Sequence, residues 1–260
     1  METTEIKETV KRAYTKVFTE RNSGCCGTEC CGTGESMADD YTKLEGYAAE
    51  ADYGLGCGIP TEFAKIKDGD TVLDLGSGAG NDVFIASKIV GEKGKVIGLD
   101  MTKAMIDKAN ANKLKLGITN VEFIFGEIEQ MPVESKSIDI VLSNCVVNLV
   151  PDKRKAFGEI YRVLKSGGHF TISDIVVSGD LPVGIKKAAE LYAGCISGAM
   201  KKDDYIKEIS DSGFRDIKIY KEKSVEFTDD AMLKFISEKE LEEYKKSGNR
   251  ILSITISGTK

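Results

Sequence analysis

The sequence contains a single histidine, His169, among its 260 residues. Catalytic triads and most general-base schemes use a histidine side chain. His169 follows Gly167 and Gly168 at the start of an apolar run, where a structural role is the favoured interpretation. The sequence therefore offers little support for a histidine-dependent hydrolase.

Long apolar runs and an excess of basic residues are also absent. No stretch approaches the roughly 18 apolar residues of a membrane span. The charged N-terminal sequence has helical spacing and does not resemble a signal peptide. The formal net charge of −6 argues against nucleic acid as the main partner. We therefore expect a cytoplasmic protein with neither a membrane nor a nucleic-acid partner.

The most informative pattern in the chain lies within residues 71–100. Residues 72–75 include a short apolar run that is typical of a buried strand, and Asp82–Val90 has the apolar spacing of a helix. Val96–Leu99 is the next predicted strand, and Asp100 stands at its carboxyl end. This stretch therefore predicts a β-α-β unit of the kind that binds nucleotides.

A glycine-rich turn follows the first of these strands. Gly76, Gly78 and Gly80 carry no side chain that would keep a ligand from the backbone. They fall as G-x-G-x-G, and not as the G-x-G-x-x-G of dinucleotide-binding turns. Asp74 stands just before them, and a carboxylate there suits a ligand with a cationic end better than a pyrophosphate.

The motifs D-L-G-S-G-A-G and L-D-M together resemble the S-adenosylmethionine (SAM) site of class I methyltransferases. In that family the glycine turn lies under the methionine part of SAM, and the acid after the second strand holds the ribose hydroxyls. A later turn, matched here by Glu127 and Ile128, lies near the adenine amino group. The cofactor-binding residues that the resemblance implies are Asp74, Gly76, Ser77, Gly78, Gly80, Asp100, Met101, Glu127, Ile128 and Asn144.

Strand and helix patterns continue to alternate after this unit. The spacing predicts helices over Lys103–Leu116 and Lys153–Leu164, and strands over Val121–Gly126, Ile138–Ser143 and His169–Val177. Such alternation predicts an α/β fold with a doubly wound, mostly parallel sheet. The family resemblance implies seven strands, Rossmann-like, with a C-terminal α+β extension.

The C-terminal third carries weaker patterns. We expect helices over Val183–Tyr192 and Lys202–Ser212, and a charged helical region over Asp229–Ser247. Phe214–Tyr220 and Ile251–Ser257 are predicted to be a final pair of strands, antiparallel to each other.

These patterns divide the chain into three predicted parts. Residues 1–60 would form an N-terminal helix and a cysteine-rich loop that covers the site. Residues 61–178 would form the SAM-binding core. Residues 179–260 would cap the substrate and complete the sheet.

Seven cysteines are notable in a protein that we expect in a reducing compartment, where thiols favour metal-binding, redox or catalytic roles over structural disulfides. Cys57 lies in G-L-G-C-G-I-P, Cys145 in S-N-C-V-V-N-L and Cys195 in A-G-C-I-S-G-A. This pattern resembles the arsenite methyltransferases, which bind trivalent arsenic with cysteine thiolates. The resemblance implies an arsenic-ligand role for these three residues. It also implies an upstream thiol, best matched by Cys31 or else Cys30.

The chemistry agrees with that resemblance. Trivalent arsenic is thiophilic, and thiolates are the soft ligands that a protein can offer. Arsenic held by three sulfurs keeps a lone pair that can attack the methyl group of SAM, so no general base is needed. Methyl transfer formally oxidises arsenic, and the thiols of the Cys25–Cys31 loop could return two electrons by disulfide exchange. A reductant such as thioredoxin or glutathione would then reset them.

Other interpretations of the same residues remain open. A single cysteine is often a small buried apolar residue, and C-C-G-T-E-C-C could hold zinc. Asp74 could cap the following turn, and Glu127 could be a solvated surface acid. For the whole chain, the alternatives are a class I methyltransferase acting on oxygen, nitrogen or carbon of a small metabolite, and an arsenic- or metal-binding sensor without catalysis.

Overall fold

A computed structural model describes residues 7, 8, 11, 12, 15, 39–187 and 198–260. Most of the predicted N-terminal helix, the cysteine loop with Cys31, and Cys195 lie outside the described residues. Within them, no helix is long and apolar enough to cross a membrane.

The described residues form one seven-stranded sheet flanked by helices. The strands are β1 (Thr71–Leu75), β2 (Lys95–Asp100), β3 (Val121–Phe125), β4 (Ile138–Asn144), β5 (Leu164–Val177), β6 (Arg215–Val225) and β7 (Ile251–Thr259). The helices are α1 (Asn81–Val90), α2 (Lys103–Leu116), α3 (Lys153–Val163), α4 (Val183–Lys187), α5 (Lys202–Asp211), α6 (Asp229–Leu233) and α7 (Glu238–Ser247). Two short 3-10 turns cover Pro60–Glu62 and Val147–Leu149.

The strand order is β3-β2-β1-β4-β5-β7-β6, with β1 to β5 parallel and β7 antiparallel to both of its neighbours. The predicted doubly wound, mostly parallel sheet is confirmed, as is the antiparallel final pair. The chain reverses its direction of travel across the sheet between β1 and β4. Ligands of open α/β sheets bind outside the carboxyl ends of the strands at such a point.

Helices cover both faces of the sheet, since successive buried side chains of a strand point to opposite faces. On one face, Val72 of β1 packs in a cluster with Phe84 of α1. On the other, Leu73 packs in a cluster with Phe157 of α3 and Tyr205 of α5. These side chains bury apolar surface that would otherwise face water. Such burial is the main stabilising contribution to a fold of this kind.

The fifth strand begins earlier than the predicted His169, because the segment L-K-S-G-G belongs to it. Helix α3 ends at Val163, one residue before the predicted end, and β5 already begins at Leu164. Leu164 pairs with Ile138, and the register of β4 and β5 then shifts before Ile140. The glycines of the segment therefore lie inside an irregular strand, with Gly167 at a φ of +79°.

Candidate functional site

A pocket opens at the carboxyl ends of β1, β2 and β4. It is lined by the first turn of α1, the turns after β2 and β3, the 3-10 turn after β4 and residues 51–56. Every predicted cofactor-binding residue except Gly80 lines it, namely Asp74, Gly76, Ser77, Gly78, Asp100, Met101, Glu127, Ile128 and Asn144. Gly80 is the N-cap of α1 at the same turn. The structure therefore brings the predicted cofactor-binding residues together at the carboxyl edge of the sheet.

The glycine turn is shaped by close packing on one side. Gly76 adopts a φ of +67°, and a Cβ atom there would lie 2.4 Å from Cγ2 of Val146. The amides of Gly76 and Ser77 both donate to the carbonyl of Leu99 at 2.7 and 3.0 Å, which ties the turn to β2. The turn thus presents backbone to the pocket, and only glycine fits at position 76.

Asp100 is fixed at the end of β2 by two backbone amides. Its Oδ2 accepts from the amide of Gly78 at 2.9 Å, and its Oδ1 accepts from the amide of Thr102 at 2.7 Å. Burial nevertheless raises the pKa of this carboxyl. A carboxylate held in this way lines the pocket with lone pairs left over for the hydroxyls of a ligand.

Three aspartates line the pocket, of which Asp74 and Asp82 are buried and Asp100 is partly buried. Burial raises the pKa of Asp74 well above its usual value, and repulsion from Asp82 and Asp100 adds to that rise. Burial likewise raises the pKa of Asp82 to about 6, although hydrogen bonds with Asn144 and Tyr41 lower it. Because repulsion among these groups would be relieved by positive charge, the pocket favours a ligand that carries a cation.

Buried polar atoms without hydrogen-bond partners also face this region. Among the described residues they include Ser77 Oγ and Asn81 Oδ1, and both residues line the pocket. A buried polar atom without a partner is costly, so these two atoms need a ligand or water to pair with. Together with the aspartates and the glycine turn, they suit SAM, which carries cationic, hydroxyl and amine groups.

Two glutamates in the turn after β3 line the pocket, and both form ion pairs with a lysine. Lys7 Nζ lies 2.7 Å from Oε2 of both Glu127 and Glu129. Burial alone would lower the pKa of Lys7, but the two carboxylates raise it, and the bond to Lys7 lowers the pKa of Glu127. Glu127 therefore lines the pocket and its carboxylate is shared with Lys7, while its place beside an adenine stays a prediction.

Two of the predicted arsenic ligands come together. Cys57 and Cys145, which are 88 residues apart in sequence, form a disulfide with a Cα–Cα distance of 5.8 Å. Both cysteines were predicted to be free thiols, and a disulfide must be reduced before either sulfur can bind arsenic. Their neighbours Gly56 and Asn144 line the pocket, so the pair lies directly beside it.

The cysteine pair is buried in an apolar cluster. Cys57 is 3% and Cys145 is 2% exposed, and Ile185 of α4 and Met232 of α6 pack in the same cluster. Cys145 also adopts a φ of +59°, a left-handed conformation that few residues with a Cβ atom adopt. Backbone strain of this kind clusters at functional sites.

The segment that carries Cys57 is fixed by hydrogen bonds to its backbone. Its amide donates to Asn144 Oδ1 at 3.0 Å, and its carbonyl accepts from Ser253 Oγ at 2.5 Å. The next carbonyl, that of Gly58, accepts from Tyr41 Oη and from Asn144 Nδ2, each at 2.8 Å. The position of the Cys57 sulfur is therefore set by side chains from three distant parts of the chain.

Sequence reasoning missed several residues of the site. They are Lys7, Tyr41, Asp52, Asn81, Asp82 and Glu129, all of which line the pocket. Asp82 stands in the first turn of a helix, where an acid is ordinary, so its position gave no separate signal. His169 lies elsewhere, with Nε2 2.7 Å from the carbonyl of Ala64.

Three further predictions concern parts of the chain that the structure does not describe. Cys31, Cys195 and the alternative zinc site in C-C-G-T-E-C-C all lie outside the described residues. Within the described ranges, no group of three or more His, Cys, Asp or Glu residues could hold a metal ion.

Comparison with known proteins identifies a methyltransferase domain and arsenite methyltransferase relatives. A methyltransferase domain model matches residues 66–221. The arsenite methyltransferase of Halobacterium salinarum is 44% identical over 80% of this chain and 54% of its own length. That of Aquipseudomonas alcaligenes is 33% identical over 87% of this chain and 67% of its own length. The chain spans about half the length of the first curated relatives that it matches.

Solved structures agree with these relatives. An arsenic(III) S-adenosylmethionine methyltransferase from Chlamydomonas reinhardtii matches with a TM-score of 0.68 and 35% identity, over 86% of this chain and 72% of that one. A phosphoethanolamine N-methyltransferase from Haemonchus contortus, in complex with S-adenosylhomocysteine, matches with a TM-score of 0.62 at 20% identity, over 79% and 53%. At that identity the second likeness shows the fold alone.

Proposed function

We propose a function from one premise: the chain belongs to the arsenite methyltransferase family, within the class I methyltransferases. On that premise, the chain transfers methyl groups from SAM to trivalent arsenic that is bound by its cysteine thiolates. The observation that carries this proposal is the meeting of Cys57 and Cys145 beside a pocket of buried carboxylates. The pocket has the chemistry of a methyl-donor site, and the sulfurs have the chemistry of an arsenic site.

In this proposal different residues of the donor pocket contact the ribose, the methionine end and the adenine of SAM. Asp100 would accept hydrogen bonds from the ribose hydroxyls, since its carboxylate is already oriented by two amides. Asp74 and Asp82 would attract the cationic methionine end, and Glu127, Ile128 and Glu129 would face the adenine. Bound SAM would supply an electrophilic methyl group that a lone pair on arsenic can accept without a general base.

The acceptor site requires the reduced protein. Two external thiols would reduce the Cys57–Cys145 disulfide and leave as a disulfide themselves, which returns two thiols to the site. Each thiol then loses a proton as it binds arsenic. Cys195 is the proposed third ligand, by its match to the family motif. The task of the protein is alignment, because holding the reactants in place supplies much of the rate gain of such a transfer.

The proposal assigns the electron supply to other thiols. After each transfer two electrons must return to arsenic, and Cys31 would take part with its neighbours in the cysteine loop. Thioredoxin or glutathione is the proposed external reductant.

The test is direct speciation of arsenic. Reduced protein is incubated with SAM, arsenite and a thiol reductant, and methylated arsenicals are separated and quantified. We expect methylated products from the wild type, and a loss of at least about 100-fold in Cys57→Ser and Cys145→Ser, a size typical of losing a group that positions the reactants. Both variants should still bind SAM, which calorimetry measures.

Ser173→Ala is the matched control. It removes a buried hydroxyl that bonds Thr255 Oγ1 at 2.9 Å beneath the Cys57 segment, without removing a sulfur. Methylation by this variant should remain within a few-fold of the wild type. Wild-type protein that binds SAM but yields no methylated arsenic would contradict the proposal, as would full activity in both cysteine variants.

A further inference from the structure

A buried cluster of polar side chains connects the donor pocket with the cysteine segment. Its members are Tyr41, Asp82 and Asn144, and we call it the Tyr41 cluster. Asn144 Nδ2 lies 2.6 Å from Tyr41 Oη and 3.2 Å from Asp82 Oδ2, and Tyr41 Oη lies 3.1 Å from Asp82 Oδ1. Tyr41 and Asp82 are 4% and 8% exposed, so water competes little for these bonds.

One end of the Tyr41 cluster lies in the donor pocket. The Asp82 carboxylate lines that pocket, and its negative charge adds to the rise that burial causes in the pKa of the neighbouring Asp74. Asp52 also lines the pocket and adds a further negative charge that acts on Asp82. A cation in the pocket would therefore interact directly with Asp82, because opposite charges within about 4–6 Å attract appreciably in a buried site.

The other end of the Tyr41 cluster holds the backbone beside the sulfur. Asn144 accepts from the amide of Cys57, and both Tyr41 and Asn144 are within hydrogen-bond distance of the carbonyl of Gly58. Asn144 packs tightly against the backbone of Gly56, since a Cβ atom on Gly56 would lie 2.6 Å from Asn144 Nδ2. A small shift of Asn144 therefore moves the Cys57 segment.

The protons available to the cluster are limited. A tyrosine hydroxyl donates one proton and an asparagine amide donates two. The Gly58 carbonyl and the Asp82 carboxylate both accept from these same two side chains. The two acceptors therefore compete. A cation beside Asp82 reduces its demand for these protons, which strengthens the bonds to Gly58.

We propose that the Tyr41 cluster couples occupation of the donor pocket to the position of the Cys57 segment. When a cationic donor binds, Tyr41 and Asn144 hold the Gly58 carbonyl and the Cys57 amide more tightly, and the sulfur is fixed for its acceptor. Tyr41 is then a positioning residue at the wall of the donor pocket, and it acts on the sulfur through Asn144 and the Gly58 carbonyl. The inference rests on the proposed donor site, and it requires no arsenic.

The readout is hydrogen exchange of the Cys57 amide, which donates to Asn144. The full-length protein is kept reduced and is saturated with an unreactive SAM analogue that has an ammonium group in place of the sulfonium. We expect the analogue to slow exchange of this amide about 10-fold in the wild type, within the usual range for coupled sites. In Tyr41→Phe, the slowing should fall below about 2-fold, although calorimetry still shows the analogue bound.

Tyr205→Phe is the matched control, because its hydroxyl also donates to a buried aspartate, Asp174, at 3.0 Å, but away from the pocket. It should lose comparable stability and keep the full slowing. If Tyr41→Phe does not fold, Asp82→Asn removes the charge at nearly constant size and should lose the slowing in the same way.

The outcomes separate the two proposals. Equal slowing in the wild type and in Tyr41→Phe means that the ligand covers Cys57 directly, and it overturns the coupling. Bound analogue without any slowing in the wild type also overturns it while leaving the proposed function intact. Wild-type protein that does not bind the analogue overturns both.

Discussion

Replacing Gly76 with alanine separates two costs that the glycine turn avoids. The φ of Gly76 is +67°, a conformation that costs a residue with a Cβ atom about 1–2 kcal/mol. The added methyl group would also lie 2.4 Å from Cγ2 of Val146. Overpacking of this kind typically costs about 1–3 kcal/mol. We therefore expect Gly76→Ala to lower the free energy of unfolding by about 2–5 kcal/mol.

A second glycine isolates the conformational part. Gly167 has a φ of +79°, and a Cβ atom there would meet nothing within 4 Å. Gly167→Ala should therefore cost only the conformational share, about 1–2 kcal/mol. It lies at the opposite end of the sheet from the pocket, so it should leave SAM affinity unchanged, whereas Gly76→Ala should weaken it.

The assay is urea unfolding of both variants and of their combinations with Val146→Ala. Val146→Ala opens the space that the new methyl group needs, so the double variant with Gly76→Ala should recover about 1–3 kcal/mol relative to additivity. The double variant with Gly167→Ala should be additive within about 0.5 kcal/mol. The reasoning would be refuted by a Gly76→Ala variant no less stable than Gly167→Ala, or by additivity in both pairs.

Three further predictions concern single side chains. Burial raises the pKa of Asp174 to about 7, so between about pH 4 and 7 the folded chain holds a proton that the unfolded chain has lost, and stability falls as pH rises; Asp174→Asn should remove that part of the slope in urea midpoints measured across this range. His169→Gln should keep methylation within a few-fold of the wild type in the arsenic assay, because the ring bonds Ala64 and not the pocket, and a complete loss would contradict base-free transfer. Asp100→Asn cannot accept from both amides that now fix it, so SAM affinity measured by calorimetry should fall about 10-fold or more, the equivalent of about 1.4 kcal/mol; unchanged affinity would exclude Asp100 from the donor site.

Much of the fold could be predicted because its patterns are local. The short apolar runs and the helical spacing between them are legible within a few residues, and the parallel sheet follows from their alternation. The same logic placed Asp74, Asp100 and Asn144 at one edge, since the carboxyl ends of parallel strands meet there. The predicted start of the fifth strand at His169 was wrong, because the pairing of Leu164 with Ile138 depends on a register shift against β4.

The parts of the site that could not be predicted depend on contacts between distant segments. Nothing near Tyr41 in sequence indicates that its hydroxyl reaches Asp82, and the loop that positions it has no regular period. Lys7 likewise reaches Glu127 across 120 residues. The Cys57–Cys145 bond was unforeseen because thiol spacing states which sulfurs approach a site, and not whether they are joined.

The left-handed backbone at Cys145 has a consequence for how substitutions at this position should rank. At an ordinary buried position, alanine is a gentler replacement than glycine, because glycine loses more backbone freedom on folding. At a φ of +59° the order reverses, and in reduced protein Cys145→Gly should unfold at a higher urea concentration than Cys145→Ala. Glycine would therefore relieve the backbone strain at position 145, yet the sequence has a cysteine there. The arsenic-ligand role proposed for Cys145 would account for a sulfur at this strained position.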